Sequence, residues 1–249
     1  MPKMVVLRIK RQAGPHEPAR WEEFEVPHEE RMNVIRCLQL IQRNPVNRLG
    51  EATTAPVWDQ SCLEEVCGAC TMIINGGVRQ ACTALVDEYP QPITLEPLTK
   101  FPLVKDLLVD RQRFFDDLKK SKVWVDIDGT HALGAGPKYS EDIQAIRYEL
   151  SRCMTCGCCL EVCPQYGMER AFMGPAVISQ VRLFNLHPTG AMQADKRLEE
   201  LTKPGGFADC GNAQNCVRAC PKEIPLTESI SATGRQLVGY GLRKFLGGR

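Results

Sequence analysis

All but one of the thirteen cysteines fall into three short groups, in which several thiolates could bind one metal ion or inorganic cluster. The first group reads Cys62-x4-Cys67-x2-Cys70-x11-Cys82. This spacing is typical of plant-type [2Fe–2S] ligation, in which a tight loop presents three thiolates and a later strand supplies the fourth. A zinc knuckle or a loop of structural thiols is the alternative.

The second group reads Cys153-x2-Cys156-x2-Cys159-x3-Cys163-Pro164. This is the bacterial ferredoxin pattern, whose fourth cysteine binds the other of two clusters. Cys158 lies inside the group but outside the pattern, and we predict it to be a buried thiol beside the cluster. A zinc ribbon is the alternative, which the three evenly spaced ligands and the Cys-Pro pair disfavour.

The third group, Cys210-x5-Cys216-x3-Cys220-Pro221, has Ala213 where the pattern expects its second ligand. In this pattern the cysteine before the proline binds the other cluster, so Cys220 would join the cluster of the second group and Cys163 that of the third. One cluster then has four thiolates and the other has three. We therefore predict a [4Fe–4S] and a [3Fe–4S] cluster, the alternative to the latter being a [4Fe–4S] cluster with water or another non-cysteine ligand. The predicted [4Fe–4S] ligands are Cys153, Cys156, Cys159 and Cys220, and the [3Fe–4S] ligands are Cys163, Cys210 and Cys216.

The segments around the first group predict a small sheet. Val5, Leu7 and Ile9 recur at the period of a strand, and residues 21–26, which follow a Gly14-Pro15 turn, predict a second strand. Asn75-Gly76-Gly77 lies between residues 71–74 and 78–81 and predicts a hairpin that returns the chain toward Cys82. Residues 93–95 predict one further strand.

One helix is predicted within this sheet domain. Val34, Cys37, Leu38 and Ile41 recur at helical spacing after Asn33, a suitable N-cap. Cys37 is therefore predicted to be a core thiol. The N-terminal third thus predicts a small α+β domain.

From Pro102 the pattern becomes helical, and Leu103, Leu107, Phe114 and Leu118 are predicted to share one helix face. Residues 122–140 resemble a connector, and helical pieces interrupted by cysteines follow. We therefore predict two domains, residues 1–105 and residues 106–249.

The composition limits the function classes. The cysteine count is odd, and 249 residues can bury a large core, so a disulfide scaffold is excluded. The net charge of +1 argues against a nucleic-acid partner. No signal peptide or apolar run of about 20 residues is visible, which predicts a cytoplasmic protein with reduced thiols.

No other catalytic pattern is present in the sequence. His16, His28, His131 and His187 neighbour no cysteine group, and Gly134-Ala-Gly136 lacks the third glycine of a dinucleotide site. Electron transfer is therefore the favoured function. A zinc-stabilised binding module is the rival class, and a colourless protein with bound zinc would distinguish it.

The three groups, in this order and at these spacings, resemble the iron–sulfur subunits of succinate dehydrogenase and fumarate reductase (respiratory complex II). The resemblance extends from Val5 to about Leu242. It implies a β-grasp, plant-type ferredoxin domain followed by an all-α domain like bacterial ferredoxins. It also implies a relay from the FAD of a flavoprotein subunit, through the three clusters, to quinone at a membrane anchor, and the vacant ligand position at Ala213 matches the family's [3Fe–4S] site.

Three residues, which make up two departures, distinguish this chain from the ubiquinone-linked members of this family. Those members carry tryptophans where this chain has Gly167 and Met168, and a histidine where it has Gly211. Residues 172–192 resemble instead the di-haem, menaquinone-linked enzymes of Gram-positive bacteria. The resemblance therefore implies menaquinone as the acceptor and a cytochrome b anchor with haem b.

The resemblance further implies a peripheral subunit on the cytoplasmic face of the cell membrane, acting in the tricarboxylic acid cycle and the respiratory chain. The alternative is a fumarate reductase subunit that works in the reverse direction, since clusters carry electrons either way. The segment 226–249 could lie against the anchor or the anionic leaflet, or could be a docked or frayed terminal helix.

Overall fold

The structure, a computed structural model, describes residues 3–126 and 138–247. It divides into two compact units, the first formed by Met1–Arg111 with Met154–Glu161 and the second by Gln112–Cys153 with Val162–Arg249. The predicted boundary lies at residue 105, whereas the first unit continues to Arg111 and includes part of the second cysteine group.

Strands dominate the first part of the chain and helices the second. The strands are β1 (Met4–Arg11), β2 (Arg20–Pro27), β3 (Thr71–Ile74), β4 (Gly77–Gln80), β5 (Ile93–Glu96), β6 (Leu103–Lys105) and β7 (Leu108–Val109). The α-helices are α1 (Val34–Arg43), α2 (Gln112–Lys120), α3 (Glu141–Ser151), α4 (Cys158–Glu161), α5 (Pro175–Leu186), α6 (Ala194–Leu201), α7 (Asn215–Arg218) and α8 (Leu226–Phe245). Short 3₁₀ turns cover Val86–Glu88, Gly190–Gln193 and Phe207–Asp209.

A five-stranded sheet with strand order β2-β1-β5-β3-β4 forms the centre of the first unit. Strand β1 runs antiparallel to β2 and parallel to β5, while β3 is antiparallel to both β4 and β5. Every second residue of β1, namely Val5, Leu7 and Ile9, is fully buried, and Leu7 lies opposite Phe24 and Ile93. The predicted strands and the α+β class are confirmed.

The long helix of this unit begins where the sequence predicts. Asn33 caps α1, because its Oδ1 accepts a 2.8 Å hydrogen bond from the Arg36 backbone N–H. Its Nδ2 donates at 2.8 Å to the Cys82 carbonyl, so the cap also fixes the last cysteine of the first group. Cys37 is fully buried in the core, as predicted.

A hydrogen bond from strand β5 holds the turn of the β3–β4 hairpin in place. Asn75 and Gly76 have φ of 47° and 79°, the left-handed pair that a tight two-residue hairpin turn requires. The Asn75 Oδ1 accepts a 2.6 Å hydrogen bond from the Thr94 backbone N–H. The turn therefore sets the register of the hairpin against β5.

The helix predicted from Pro102 is wrong for its first residues, which form the β6–β7 hairpin, and helix α2 starts only at Gln112. Asp106 turns this hairpin with φ of 49°. Its carboxylate accepts hydrogen bonds from Arg11 Nε at 3.1 Å and from the backbone N–H of Val57 at 3.0 Å. These long-range bonds override the local pattern, so Leu103 and Leu107 share no helix face with Phe114 and Leu118.

Helix α5 is the centre of the second unit and packs against α2, α3, α6 and α8. Pro175 occupies its first turn, where a missing N–H costs nothing. Its buried Ser179 hydroxyl lies 3.4 Å from that of Ser229 on α8, and Asn185 Nδ2 donates at 3.0 Å to Gln236 Oε1. These polar pairs fix α8 along α5.

The terminal segment forms helix α8, whose first half packs against the other helices of the second unit. Leu226 is buried, whereas the exposed fractions of Val238, Leu242 and Phe245 are 64%, 57% and 87%. No helix in the described part of the chain is long and apolar enough to cross a membrane. The predicted connector, His131 and Gly134-Ala-Gly136 involve residues 127–137, which lie outside the described residues.

Replacing the fully buried Arg197 of α6 should be costly. Its guanidinium donates to the carbonyls of Lys122, Trp124 and Gly190 at 2.8, 2.8 and 2.7 Å, and burial lowers its pKa. Arg197→Met leaves these carbonyls unpaired, and we expect it to lower the free energy of unfolding by about 3 kcal/mol. The exposed Arg235, which bonds Ser231 of its own helix, is the control: Arg235→Met should cost under about 0.5 kcal/mol in the same denaturant titration. Equal losses would contradict the structural role of Arg197.

Candidate iron–sulfur sites

The loop after Cys62 folds its backbone amides around the Cys62 sulfur. Leu63 and Glu65 have φ of 63° and 55°, and this left-handed backbone aims successive N–H groups inward. The donors to Cys62 Sγ are Glu64 at 3.4 Å, Val66 at 3.3 Å and Cys67 at 3.3 Å. The hydrogen bonds from Glu64 and Val66 lower the pKa of Cys62 to about 7, so the loop favours the thiolate that a cluster needs.

Cys70 and Cys82 form the buried side of the same site. Cys70 precedes β3 and Cys82 follows β4, so the hairpin brings them together: the backbone N–H of Ala81 donates at 3.1 Å to the Cys70 carbonyl, and the Cys70 thiol donates at 3.7 Å to Gln80 Oε1. Burial raises the pKa of Cys70 to about 12. The structure thus places the four cysteines of the first group in one unit, on a loop and a hairpin.

Gly68 is the point where the first loop meets the second cysteine group inside the first unit. Its φ is 71°, and a Cβ there would lie 2.7 Å from the Cys156 Cα and 2.8 Å from the Met154 carbonyl oxygen. Arg111 Nη1 donates to the Gly68 carbonyl at 2.7 Å and to the Cys156 carbonyl at 3.3 Å. Only glycine therefore allows this approach.

A Gly68→Ala variant should be less stable than the matched Gly76→Ala variant. Both positions have positive φ, at 71° and 79°, but a Cβ at Gly76 meets nothing within 4 Å. We expect about 1 kcal/mol of left-handed strain at Gly76 and at least about 2 kcal/mol more at Gly68, where backbone must move. Denaturant unfolding of both variants checks this, and equal losses would show that the close approach is not a constraint.

Cys156, Cys158 and Cys159 are buried together in the first unit, the last two within α4. A hydrogen bond from the Cys158 side chain, together with the Cys158 backbone N–H, lowers the pKa of Cys156 to about 7. The same side-chain contact, with burial, raises the pKa of Cys158. Cys158 is fully buried, as predicted, and the contact joins it to a predicted ligand. The other two cysteines predicted for this cluster, Cys153 and Cys220, belong to the second unit.

The cysteines of the predicted three-thiolate site share a cavity in the second unit. Cys163, Cys210 and Cys216 line it, and so does Ala213, the residue at the vacant ligand position. Burial and the neighbouring Cys163 and Cys210 sulfurs raise the pKa of Cys216. Asn215, which starts α7, donates at 3.2 Å to the Val162 carbonyl and so ties the third group to the second.

The sequence patterns missed the polar residues that hold these loops. Gln80 ends β4 and contacts both Cys70 and Cys158, while Arg111 joins the carbonyls of Gly68 and Cys156. The sequence predicts Asn33 as a helix cap but does not predict its hydrogen bond to the Cys82 carbonyl. No spacing rule singles out Gln80 or Arg111, because their partners are distant in sequence.

The thirteen cysteines all lie in the described residues, and no disulfide joins any of them. Within that part of the chain, no three His, Cys, Asp or Glu side chains converge tightly enough for a single metal ion. Of the described histidines, His28 contacts Asp87 and Lys3 rather than any cysteine.

Comparisons with known proteins match both halves of the chain. Residues 6–116 match the family model of a 2Fe-2S iron-sulfur cluster binding domain, and residues 149–224 match a 4Fe-4S dicluster domain. The chain is 58% identical to the succinate dehydrogenase iron-sulfur subunit of Bacillus subtilis, over 91% of this chain and 89% of that protein. It is 28% identical to the fumarate reductase iron-sulfur subunit of Haemophilus influenzae, over 84% and 82%.

A solved structure shows the same fold. A chain of the Mycobacterium smegmatis Sdh1 complex in the apo form superposes with a TM-score of 0.81 at 20% identity, covering 96% of this chain and 97% of that chain. A 2Fe-2S domain and a 4Fe-4S dicluster domain in one chain define an electron-transfer subunit of an oxidoreductase. This chain belongs to the family of succinate dehydrogenase iron–sulfur subunits. The predicted resemblance is confirmed.

Proposed function

We propose that this chain relays electrons from the FAD of a flavoprotein subunit to menaquinone at a membrane anchor, through a [2Fe–2S], a [4Fe–4S] and a [3Fe–4S] cluster. The cavity that Cys163, Cys210 and Cys216 share with Ala213 carries the proposal, since three thiols around a vacant fourth position suit a cluster that lacks one iron. The proposed [2Fe–2S] ligands are Cys62, Cys67, Cys70 and Cys82. The proposed [4Fe–4S] ligands are Cys153, Cys156, Cys159 and Cys220, and the proposed [3Fe–4S] ligands are Cys163, Cys210 and Cys216.

The donor chemistry of these sites fits iron–sulfur clusters. Cluster irons bind thiolates, and the amide groups around Cys62 stabilise a thiolate before any metal arrives. When bound, each cluster supplies a site that accepts and releases one electron. The chain's own residues hold the sulfurs: Asn33 fixes the Cys82 backbone, and Arg111 fixes the backbone at Gly68 and Cys156.

The proposed partners are a flavoprotein with covalent FAD and a cytochrome b anchor with haem b. The 58% identity to a Bacillus subtilis succinate dehydrogenase subunit supports this assembly. Gly167, Met168 and Gly211 lack the side chains of the ubiquinone-linked branch, and a Cβ at Gly211 would lie 2.7 Å from Gln165 Nε2. The absence of these side chains supports menaquinone rather than ubiquinone as the acceptor. We place the chain at the cytoplasmic face of the membrane as a peripheral subunit.

Succinate oxidation is the proposed direction. The fumarate reductase subunits are more distant, at 28% identity against 58% for the succinate dehydrogenase subunit. The cysteine sites themselves would serve either direction.

Purification of the chain with its native partners from membranes tests the assembly. We expect a flavoprotein with covalent FAD, an anchor with two haems, and succinate-dependent reduction of a menaquinone analogue. Ubiquinone as the physiological acceptor, or an anchor without haem, would contradict the proposed acceptor.

A further inference from the structure

The peptide unit between Gly68 and Ala69 has hydrogen bonds on both of its polar groups. Its N–H, which belongs to Ala69, donates at 3.4 Å to the sulfur of Cys67, a proposed [2Fe–2S] ligand. Its carbonyl oxygen accepts from Arg111 Nη1 at 2.7 Å and from the Thr71 hydroxyl at 2.8 Å. The guanidinium and the ligand sulfur therefore lie at opposite ends of one peptide dipole.

The same guanidinium contacts the second cysteine group, in the part of that group that belongs to the first unit. Arg111 Nη1 also donates at 3.3 Å to the carbonyl of Cys156, a proposed [4Fe–4S] ligand. A Cβ at Gly68 would lie 2.7 Å from the Cys156 Cα, so the backbones of the two groups are in contact at this point. Arg111 therefore places one positive charge where the loops of two proposed clusters meet.

The charge of Arg111 is largely shielded from solvent. The exposed fraction of its side chain is 16%, whereas that of Asp59, its carboxylate partner at 3.7 Å, is 48%. Arg111 and Asp59 line a small cavity with Cys70, another proposed [2Fe–2S] ligand. A half-exposed carboxylate at this distance is hydrated and compensates the arginine only in part. A net positive charge therefore remains beside the cysteine loops.

A cation in this position favours the reduced state of a neighbouring cluster. Reduction adds one negative charge to the cluster, and net charge together with hydrogen bonds to the sulfurs sets the reduction potential. The guanidinium attracts the added charge directly. It also polarises the Gly68–Ala69 peptide, because hydrogen bonds in series strengthen one another, and so strengthens the bond to Cys67. Both effects raise the reduction potential.

We propose that Arg111 is a positioning residue that raises the reduction potential of the [2Fe–2S] cluster, through its charge and through the peptide that bonds Cys67. Its bond to the Cys156 carbonyl extends a smaller effect to the [4Fe–4S] cluster, because that bond is longer, at 3.3 Å against 2.7 Å. The inference rests on the proposed function, since it takes Cys67 and Cys156 as cluster ligands. One side chain thereby shifts the potentials of two clusters in the same direction.

A redox titration of the purified complex, followed by EPR, tests this inference. Arg111→Met should lower the [2Fe–2S] midpoint potential, so that the ratio of reduced to oxidised cluster at fixed ambient potential falls about tenfold. A tenfold fall corresponds to about 59 mV for a one-electron couple. The [4Fe–4S] midpoint should fall by less, and the [3Fe–4S] midpoint should not move, because the bonds of Arg111 lead to the other two sites. Arg111→Lys keeps a cation and should recover at least about half of the shift.

Arg48→Met is the matched control, because it removes the same charge from the same unit. Arg48 pairs at 2.9 Å with Glu23 on β2, and β2 and β4 are the two opposite edges of the sheet. Since Cys82 follows β4, this exposed arginine lies on the other side of the sheet domain from the cysteine loops. The control should leave all three midpoint potentials unchanged.

Asp59→Asn gives a second test if Arg111→Met does not assemble. It removes the carboxylate that opposes Arg111, so the [2Fe–2S] midpoint should rise, a shift that a purely structural role of Arg111 would not produce. Unchanged [2Fe–2S] midpoints in the variants that assemble, or an equal fall in Arg48→Met, would overturn the inference while leaving the relay intact. A wild-type complex with no [2Fe–2S] signal would instead overturn the ligand assignment on which the inference depends.

Discussion

A Cys67→Ala variant should lose the [2Fe–2S] EPR signal, and succinate:quinone activity should fall by about 100-fold or more. Cys67 Sγ accepts N–H bonds from Cys62 at 3.5 Å and from Ala69 at 3.4 Å, so its sulfur is held at the centre of the loop. Alanine removes one of the four proposed ligand thiolates and leaves those amides without their acceptor. The measurement is EPR of the reduced complex together with succinate-dependent quinone reduction.

Cys37→Ala is the matched control, because it removes a thiol of the same unit that lies in the hydrophobic core. It should lower stability by roughly 1 kcal/mol through the small cavity it leaves, and all three cluster signals should persist. Succinate oxidation with a dye that takes electrons directly from the flavoprotein should survive in both variants. Succinate:quinone activity that survived Cys67→Ala would show that the linear pathway is wrong.

Ala213→Cys should convert the proposed three-thiolate site into a four-thiolate site. Ala213 lines the same cavity as Cys163, Cys210 and Cys216, so a thiolate at this position can bind the missing iron. We expect the oxidised-state [3Fe–4S] EPR signal to fall by at least about tenfold and a second reduced-state [4Fe–4S] signal to replace it. Quinone reduction should fall, because a [4Fe–4S] cluster here would carry a different charge and potential.

Ala213→Ser separates the thiolate from the added bulk. Serine places an oxygen of similar reach at the same position, and the [3Fe–4S] signal should remain. An unchanged [3Fe–4S] signal in Ala213→Cys would mean that Ala213 does not occupy the vacant ligand position.

The sequence was sufficient where a local rule determines structure. The cap at Asn33, the turn at Asn75-Gly76 and the alternation of β1 each depend on neighbouring residues, and the structure confirms them. The family resemblance was likewise carried by cysteine spacing alone, and the 58% identical relative confirms it. The ligand sets themselves stay predictions.

The parts that sequence reasoning missed depend on distant partners. Asp106 turns residues 103–109 into a hairpin because Arg11 and Val57 bond its carboxylate, and neither lies near it in the sequence. Gln80 likewise contacts Cys158 only after folding has brought the second cysteine group to the end of β4. The spacing of hydrophobic residues cannot predict such contacts, because it describes only one helix or strand at a time.

EPR of the air-oxidised and the dithionite-reduced complex, combined with iron and acid-labile sulfide analysis, tests the central claim most directly. The relay requires a [3Fe–4S] signal in the oxidised state and a [2Fe–2S] signal after reduction, in a brown protein rich in iron and sulfide. A colourless protein with stoichiometric zinc, or an oxidised complex without the [3Fe–4S] signal, would contradict it.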